Sequence, residues 1–413
     1  MTTTQKVITT MALGSVSVVS FAGEALYSCP GAINDSANGW QFLKSEAGKM
    51  VYVPFEGHYE SKGGRMQSPI IKLDKQPGEA AYYSLKFKAK AIAHCYWWVD
   101  FFDAEGNPLP DTNSAVYPGQ DSADYDQMLY IQGLAASIQI AFQSKGVVDV
   151  SDIVMKKVSA EMAQQWNDAL YATLPALDFH PATDSFKLLP KTAEALKTGK
   201  PWRVVMLGDS IMNDSYNSVF QAQVKRDFPQ SQIDFIISIR GRTGCWFYQD
   251  PQNFDDYVTK HKPDLLMIGG ISNLNGYCDK VPEAMQHIKS VIDQAQKLGC
   301  EVVLLSPPHS IDWRRAELQN EAANLPIMKW NEDTLDQRNN LPLLWSPYDA
   351  LAKTCNIAFW NMTIPTADYI AKSEKPHDFF NRDIIHNNDR GKQIVGRILS
   401  SYFLTAKEVH SKN

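Results

Sequence analysis

Hydrophobic and polar residues alternate along the first part of the chain, from about Gly39 to Val158. The clearest run is 83–90, Tyr-Ser-Leu-Lys-Phe-Lys-Ala-Lys, in which apolar residues alternate with a serine and three lysines. A period of two predicts an antiparallel strand with one face in the core and the other in water. Run 137–142 repeats the alternation, and turn residues at 103–108 separate two such runs. Because no long helix interrupts them, these short strands predict an all-β sandwich of jelly-roll type.

The strand at 94–102 has two faces of different character. Its core face is predicted to hold Cys95, Trp97, Val99 and Phe101, and its other face His94, Tyr96, Trp98, Asp100 and Phe102. Aromatic rings beside hydrogen-bonding groups suit a sugar, which has apolar C–H faces and polar hydroxyls. Tyr96 and Trp98, with Phe102, are therefore candidate glycan-binding residues. The alternative is that Trp98 and Phe102 are covered by the neighbouring domain.

The pattern changes after Pro201. Short, largely apolar runs at 203–208, 233–239, 264–268 and 300–305 are typical of strands buried on both faces, and helical segments separate most of them. Before Gly299, residues 285–298 keep a helical stripe that this glycine can cap. Repeated strand and helix units predict a parallel sheet covered by helices on both sides, with ligands at the carboxyl ends of the strands.

The length of 413 residues predicts about two domains. We expect a β-sandwich over 25–159, a helical linker over 160–200 and an α/β domain over 201–413. Residues 1–24 are predicted to be either a signal peptide or a first strand. Lys6, a weakly apolar run at 11–22 and small residues at its end fit a signal peptide, and hence a secreted or periplasmic protein, whereas residues 16–21 would also suit a strand.

Charge and cysteine usage narrow the partners. The 40 basic and 46 acidic residues sum to −6, so the broad positive field that nucleic acid would attract is missing. No run reaches the roughly eighteen apolar residues of a membrane span. The six cysteines contain no CxxC pair, which disfavours zinc, although a bridge between Cys29 and Cys95 or between Cys245 and Cys278 would fit export.

Four short blocks follow one another at the ends of the α/β elements. They are Gly208-Asp-Ser210 after the first strand, Arg240-Gly-Arg-Thr-Gly-Cys-Trp246 after the second, Gly269-Gly-Ile-Ser-Asn273 after the third, and Asp383-Ile-Ile-His386 before the last helix. Gly-Asp-Ser alone is weak evidence, and its serine could be a simple helix cap. The four blocks in this order carry far more information.

The ordered blocks resemble the SGNH, or GDSL-like, hydrolase family over roughly Pro201 to Phe403. This resemblance implies a three-layer, flavodoxin-like α/β fold and a serine ester hydrolase that needs no metal or organic cofactor. The segment before it resembles the carbohydrate-binding-module-like sandwiches of bacterial polysaccharide enzymes, through its strings SPIIKL, YYSLKFKAKA and VDFFDAEGNPL.

The family motif assigns a role to each block. Ser210 matches the nucleophile, His386 the base that takes its proton, and Asp383 the carboxylate that orients the imidazole. The oxyanion formed in the reaction would be bound by the Ser210 and Gly244 N–H groups and by the Asn273 side chain. Gly241 is the less favoured alternative to Gly244.

Two departures from the common pattern bear on the substrate. Polar Asn213 follows the nucleophile, and Trp246 lies beside the oxyanion glycine, where its bulk could narrow the acyl site. Both favour a short acyl group on a polar alcohol. The alternatives are helix capping for Asn213 and core packing for Trp246.

The resulting hypothesis is a carbohydrate O-acetyl esterase acting on acetylated poly- or oligosaccharides, with the sandwich holding the glycan. A lipase or thioesterase, and an acyltransferase with the same triad, are alternatives. A glycan-binding protein with an inactive hydrolase domain is another, and it predicts that Asn273 is misplaced or that Ser210 and His386 are apart in the fold.

Overall fold

The computed structural model describes residues 24–33, 39–46, 49–52, 64–91, 95–110, 122–144, 148–269, 281–308, 345–383 and 385–409. Residues 1–23, and with them the predicted signal peptide or first strand, lie outside this part of the chain. None of the helices in the described ranges combines the length and apolarity needed to cross a bilayer.

Two antiparallel sheets form the N-terminal half, as predicted. The first contains, in spatial order, β1 (Tyr27–Ala32), β10 (Val148–Val158), β6 (Ala81–Ala91) and β8 (Ala123–Ile131). The second contains β2 (Gln41–Glu46), β3 (Lys49–Tyr52), β4 (Gly64–Gln67), β5 (Ile71–Lys72), β7 (Cys95–Phe102) and β9 (Ser137–Ser144).

The alternation in β6 and β7 brings aromatic rings of both sheets into one core. The Phe87 ring of β6 lies 5.6 Å from Trp97 and 5.3 Å from Phe142 between ring centroids, in edge-to-face contacts. Cys29 and Cys95 are buried in this core as free thiols, and Cys245 of the other half is also free. The suggested bridge between Cys29 and Cys95 is therefore not found, and these side chains serve as small apolar groups. Cys278, the suggested partner of Cys245, lies outside the described residues.

The C-terminal half is a three-layer α/β structure, which confirms the predicted fold class. Its five parallel strands have the spatial order β12-β11-β13-β14-β15. The strands are β11 (Pro201–Gly208), β12 (Gln232–Ile239), β13 (Leu265–Gly269), β14 (Glu301–Leu305) and β15 (Ala358–Trp360). The short β15 was not predicted, because three residues show no periodicity.

Helices cover both faces of this sheet. They are α1 (Ala160–Tyr171), α2 (Pro190–Thr198), α3 (Ser210–Tyr216), α4 (Phe220–Asp227), α5 (Cys245–Tyr248), α6 (Pro251–Tyr257), α7 (Val281–Leu298), α8 (345–355), α9 (Thr363–Ser373) and α10 (Asp389–Leu404). Val204 and Met206 of β11 pack into the core on one side, and Val205 and Leu207 into the core on the other. Strands buried on both faces explain the continuous apolar runs.

The segment at 160–200 forms a helix, a loop and a helix, and it packs against the α/β layer. Ser159 caps α1 by accepting a hydrogen bond from the Met162 N–H. Inside the layer, the Asn167 side-chain amide donates to the Val219 carbonyl at 2.9 Å. Phe186 and Leu196 are buried in the same core as the sheet. This segment therefore contributes to the hydrophobic core as well as connecting the two halves.

The sandwich covers the open edge of the parallel sheet. The Tyr130 hydroxyl accepts a hydrogen bond from the Phe235 N–H at 3.1 Å, and the Gln132 side chain accepts one from the Ile237 N–H at 2.8 Å. Asp234 accepts a hydrogen bond from the Gly133 N–H at 3.0 Å, in a contact so close that a Cβ on Gly133 would overlap it. An unpaired strand edge is a template for aggregation, and these contacts satisfy it within the chain.

Candidate active site

The nucleophile turn lies where β11 ends and α3 begins. Asp209 caps α3 by accepting a hydrogen bond from the Ile211 N–H at 2.9 Å. Gly208 is required because a Cβ at this position would overlap the Gly269 carbonyl oxygen of the neighbouring strand. Ser210 follows at the first position of the helix and is half-buried. Its hydroxyl is thus presented at the carboxyl end of the central strand.

Ser210, His386 and Asp383 lie in a hydrogen-bonded line. His386 Nε2 is 2.8 Å from Ser210 Oγ, and His386 Nδ1 is 2.7 Å from Asp383 Oδ2. A carboxylate only accepts hydrogen bonds, so Nδ1 carries the imidazole proton and Nε2 is free to accept one from the serine. The other carboxylate oxygen, Asp383 Oδ1, accepts from the Ile385 and His386 N–H groups at 2.9 and 2.8 Å. This arrangement can move a proton from Ser210 to His386.

Asp383 is held in its charged form. Burial alone would raise the pKa of its carboxyl, but the hydrogen bond and charge of His386 and the two backbone N–H groups together lower this pKa to about 2. The negative charge therefore persists at all ordinary pH values. It can stabilise the imidazolium that forms when Ser210 loses its proton.

The low pKa of Asp383 predicts the shape of the pH dependence. Because the pKa of Asp383 is about 2, its carboxyl stays ionised above about pH 4 and its protonation should remove no activity there. We therefore expect kcat/KM for p-nitrophenyl acetate, measured between about pH 4 and pH 9, to fall on the acid side with a slope no steeper than one in a logarithmic plot. A slope near two above about pH 4 would show that the carboxyl titrates in this range and would contradict the assignment.

A buried ion pair joins the segment that carries His386 to α3, the helix that begins at Ser210. Asp214 of α3 is fully buried, and its carboxylate accepts from Arg382 Nη1 at 2.9 Å and from the Asn387 N–H at 2.8 Å. The Arg382 guanidinium also donates to the Asn387 carbonyl. These contacts enclose both ends of the segment that carries Asp383 and His386, so they fix where the imidazole lies relative to Ser210.

The sequence motifs do not predict this ion pair. Asp214 lies four residues after the nucleophile, and Arg382 directly precedes the fourth block. A charged residue on an otherwise buried helix and an arginine beside the histidine loop were the available signals. Only the fold shows that they are partners.

The second block is tied to the nucleophile turn through Tyr248. Its hydroxyl donates to the Gly208 carbonyl at 2.6 Å and accepts from the Arg240 N–H at 2.8 Å. Gly244 is buried at the start of α5, and Gly241 is exposed. Asn273 lies outside the described residues, so the oxyanion role of Ser210, Gly244 and Asn273 stays a prediction.

The structure resolves the alternatives for Trp246 and Asn213. Trp246 is 47% exposed, so it does not pack in the core. Asn213 lies inside α3 and is buried, and its side-chain oxygen accepts a hydrogen bond from the Asn217 amide at 2.9 Å. Asp209, and not Asn213, caps the helix. Contact of either residue with substrate stays a prediction.

Tyr96 and Trp98 lie on the outer face of the second sheet and are half-buried, as the alternation predicted. The Arg65 guanidinium covers the Trp98 ring at 4.9 Å from its centroid and forms an ion pair with Asp100. Glycan binding at Tyr96 and Trp98 stays a prediction.

Within the described residues, no cluster of three or more histidine, cysteine, aspartate or glutamate side chains is placed to hold a metal ion. The chemistry considered below uses only protein groups and water.

Comparisons with known proteins give matches in structure. No protein-family model and no curated protein sequence match the chain. Solved structures similar to it include an acetyl xylan esterase, with 19% identity and a TM-score of 0.36 over 48% of this chain and 97% of that one. A two-domain esterase active on acetylated mannans has 17% identity and a TM-score of 0.41 over 55% of each chain. A protein from Parabacteroides merdae named as a GDSL-like lipase has 12% identity and a TM-score of 0.39 over 51% of this chain and 99% of that one. The chain is thus similar over about half of its length to solved ester hydrolases of the SGNH and GDSL-like type.

Proposed function

We propose that this protein is a serine esterase of the SGNH type that removes acetyl groups from acetylated poly- or oligosaccharides. The observation that carries the proposal is the hydrogen-bonded line from Asp383 through His386 to Ser210. A serine hydroxyl is a poor nucleophile at neutral pH, and a base at 2.8 Å supplies the activation that it needs. The acetyl group and the sugar are inferred from the resemblance to carbohydrate esterases and from the polar and aromatic groups near the site.

In the proposed reaction, Ser210 Oγ attacks the ester carbonyl while His386 Nε2 takes its proton. Asp383 stabilises the resulting imidazolium, and the predicted donors, the Ser210 and Gly244 N–H groups, stabilise the oxyanion. The tetrahedral intermediate collapses and the sugar oxygen leaves with the proton of His386. Water, deprotonated by His386, then attacks the acyl-enzyme, and acetate is released as Ser210 regains its proton.

The inactive glycan-binding protein was the alternative from another functional class. It predicts that Asn273 is misplaced or that Ser210 and His386 are apart; Asn273 lies outside the described residues, whereas the Ser210 and His386 side chains are at hydrogen-bond distance. The geometry therefore favours an enzyme. Lipases, thioesterases and acyltransferases use the same three groups, so a substrate panel has to separate them.

The test is release of acid from esters of different acyl length. We expect wild-type protein to release acetate from acetylated xylan or mannan and to hydrolyse p-nitrophenyl acetate faster than p-nitrophenyl palmitate, with Ser210→Ala as the blank. Preference for palmitate would move the assignment to a lipase. Transfer of acetyl to an added alcohol in place of release would indicate an acyltransferase. If no ester is hydrolysed in a Ser210-dependent way, the proposal is wrong.

A further inference from the structure

The loop after β12 carries three exposed side chains beside the nucleophile turn. Arg240, Arg242 and Trp246 are all exposed, whereas Thr243 and Gly244 between them are buried. The Arg240 N–H also approaches the Gly208 carbonyl, at 3.3 Å, which joins the start of this loop to the turn before Ser210. The three side chains therefore emerge from a loop that is next to the nucleophile turn.

The two arginines have no carboxylate partner, within the described ranges of the chain. The Arg240 guanidinium lies over the Phe247 ring at 4.3 Å from its centroid, which orients its plane but leaves its N–H groups free. Arg242 has a left-handed backbone conformation, with a φ of 59°. Arg382 and Arg397, in contrast, pair with Asp214 and Asp168, and Arg203 and Arg390 donate to backbone carbonyls. Unpaired guanidinium groups are donors for a planar anion.

Arg240 also lines a cleft of about 1370 Å³ between the sandwich and the α/β half. This volume is sufficient for several sugar units, since small-molecule sites take about 300 to 1,000 Å³. The charged groups that line the cleft are Lys72, Lys75, Asp103, Glu105, Arg240, Asp256, Lys260 and His261.

Most of these charges are already engaged within the protein. Asp103 accepts hydrogen bonds from the Glu105 and Asn107 N–H groups, and Lys260 pairs with Asp256. Lys75 donates to two backbone carbonyls, those of Glu79 and Gly133. Burial lowers the pKa of His261 to about 4, so it is neutral. Among the described residues, Lys72, Arg240 and Glu105 have no charged partner, and these two cations and one anion give the cleft a net positive charge.

We propose that the Arg240 loop selects acetylated glycans that carry a negative group, a carboxylate or a sulfate, close to the acetyl ester. This inference rests on the proposed esterase function and adds the class of substrate. Arg240 and Arg242 bind the anion, and the exposed Trp246 ring packs against a sugar face. Because the whole chain has a charge of −6, the attraction is local and added salt weakens it.

The experiment compares acetate release from partly acetylated polygalacturonate with release from the same polymer after methyl esterification of its carboxyl groups. Acetylated dextran sulfate and acetylated dextran form a second pair, which tests sulfate. We expect kcat/KM to be about tenfold higher for the charged member of at least one pair. The pair with the larger ratio identifies the anion. In an Arg240→Gln, Arg242→Gln double variant, we expect this ratio to fall to about one.

Arg226→Gln is the matched control, because this arginine lies on α4 in a surface pair with Asp227. It should keep the wild-type ratio, and thermal unfolding should confirm that all variants are folded. Equal rates on charged and neutral polymers, or a ratio that survives in the double variant, would overturn the inference. Suppose that the protein hydrolyses p-nitrophenyl acetate in a Ser210-dependent way but releases no acetate from either charged polymer. That result would overturn the inference about charged glycans and leave the proposed esterase activity standing. Loss of all Ser210-dependent hydrolysis would instead reject the proposed function.

Discussion

Replacement of His386 by alanine is expected to lower kcat for p-nitrophenyl acetate by about 10⁴- to 10⁶-fold, because Ser210 then has no base at hydrogen-bond distance. Ser210→Ala should have an effect of similar size. Since the two residues act in one proton transfer, the double variant should be no slower than the slower single variant, within about tenfold. Stopped assays with high enzyme concentration can measure such residual rates.

His180→Ala is the control for a histidine outside the site, because the His180 side chain is 93% exposed. Its kcat should equal that of the wild type. A loss of less than about tenfold in His386→Ala would show that another group activates the nucleophile. Additive losses in the double variant would show that Ser210 and His386 act independently and would contradict their assignment to one proton transfer.

Replacement of Arg382 by alanine is expected to lower the free energy of unfolding by about 3 to 5 kcal/mol, because it leaves the buried Asp214 carboxylate without its cation. It should also lower kcat by about 100-fold. The segment that carries His386 then loses the donors to the Asn387 carbonyl, and a small displacement of the imidazole is costly for the reaction. Urea unfolding and turnover of p-nitrophenyl acetate measure the two effects.

A double variant separates stability from positioning. Arg382→Met with Asp214→Leu removes both buried charges, so it should recover part of the lost stability. Its kcat should stay low, because the Asn387 N–H has lost its acceptor. Lys353→Ala is the matched control, since it breaks an exposed ion pair with Asp349 and should cost under about 1 kcal/mol. Full recovery of kcat in the double variant would show that the ion pair affects stability alone.

Much of the architecture could be predicted from local patterns. The alternation at 83–90 predicted a strand with Tyr83, Leu85 and Phe87 in the core, and the structure buries all three. The helical stripe before Gly299 predicted α7, and its residues at 288, 291, 292 and 295 are buried, although Leu298 at its end is 45% exposed. These predictions succeed because the period of a pattern depends only on the backbone geometry of one element.

The resemblance of the four blocks also indicated which residues to expect in the site. It did not locate them, and Asn273 lies outside the described residues. For Trp246 and Asn213, the local sequence left two interpretations open. The exposed fraction of Trp246 and the Asn217 partner of Asn213 became evident only in the folded chain.

The contacts that assemble the site and join the two halves depend on the tertiary structure. Ser210 and His386 are 176 residues apart in the chain, and Arg382 and Asp214 are 168 apart. Tyr130 and Gln132 of the sandwich each form a hydrogen bond with the edge of β12, to a residue 105 positions later in the chain. A strand or helix pattern states which face of an element is apolar, but not which distant element will cover it. That choice follows from how all the elements pack together, so the ion pair, the covered sheet edge and the cleft beside Arg240 emerge only from the complete fold.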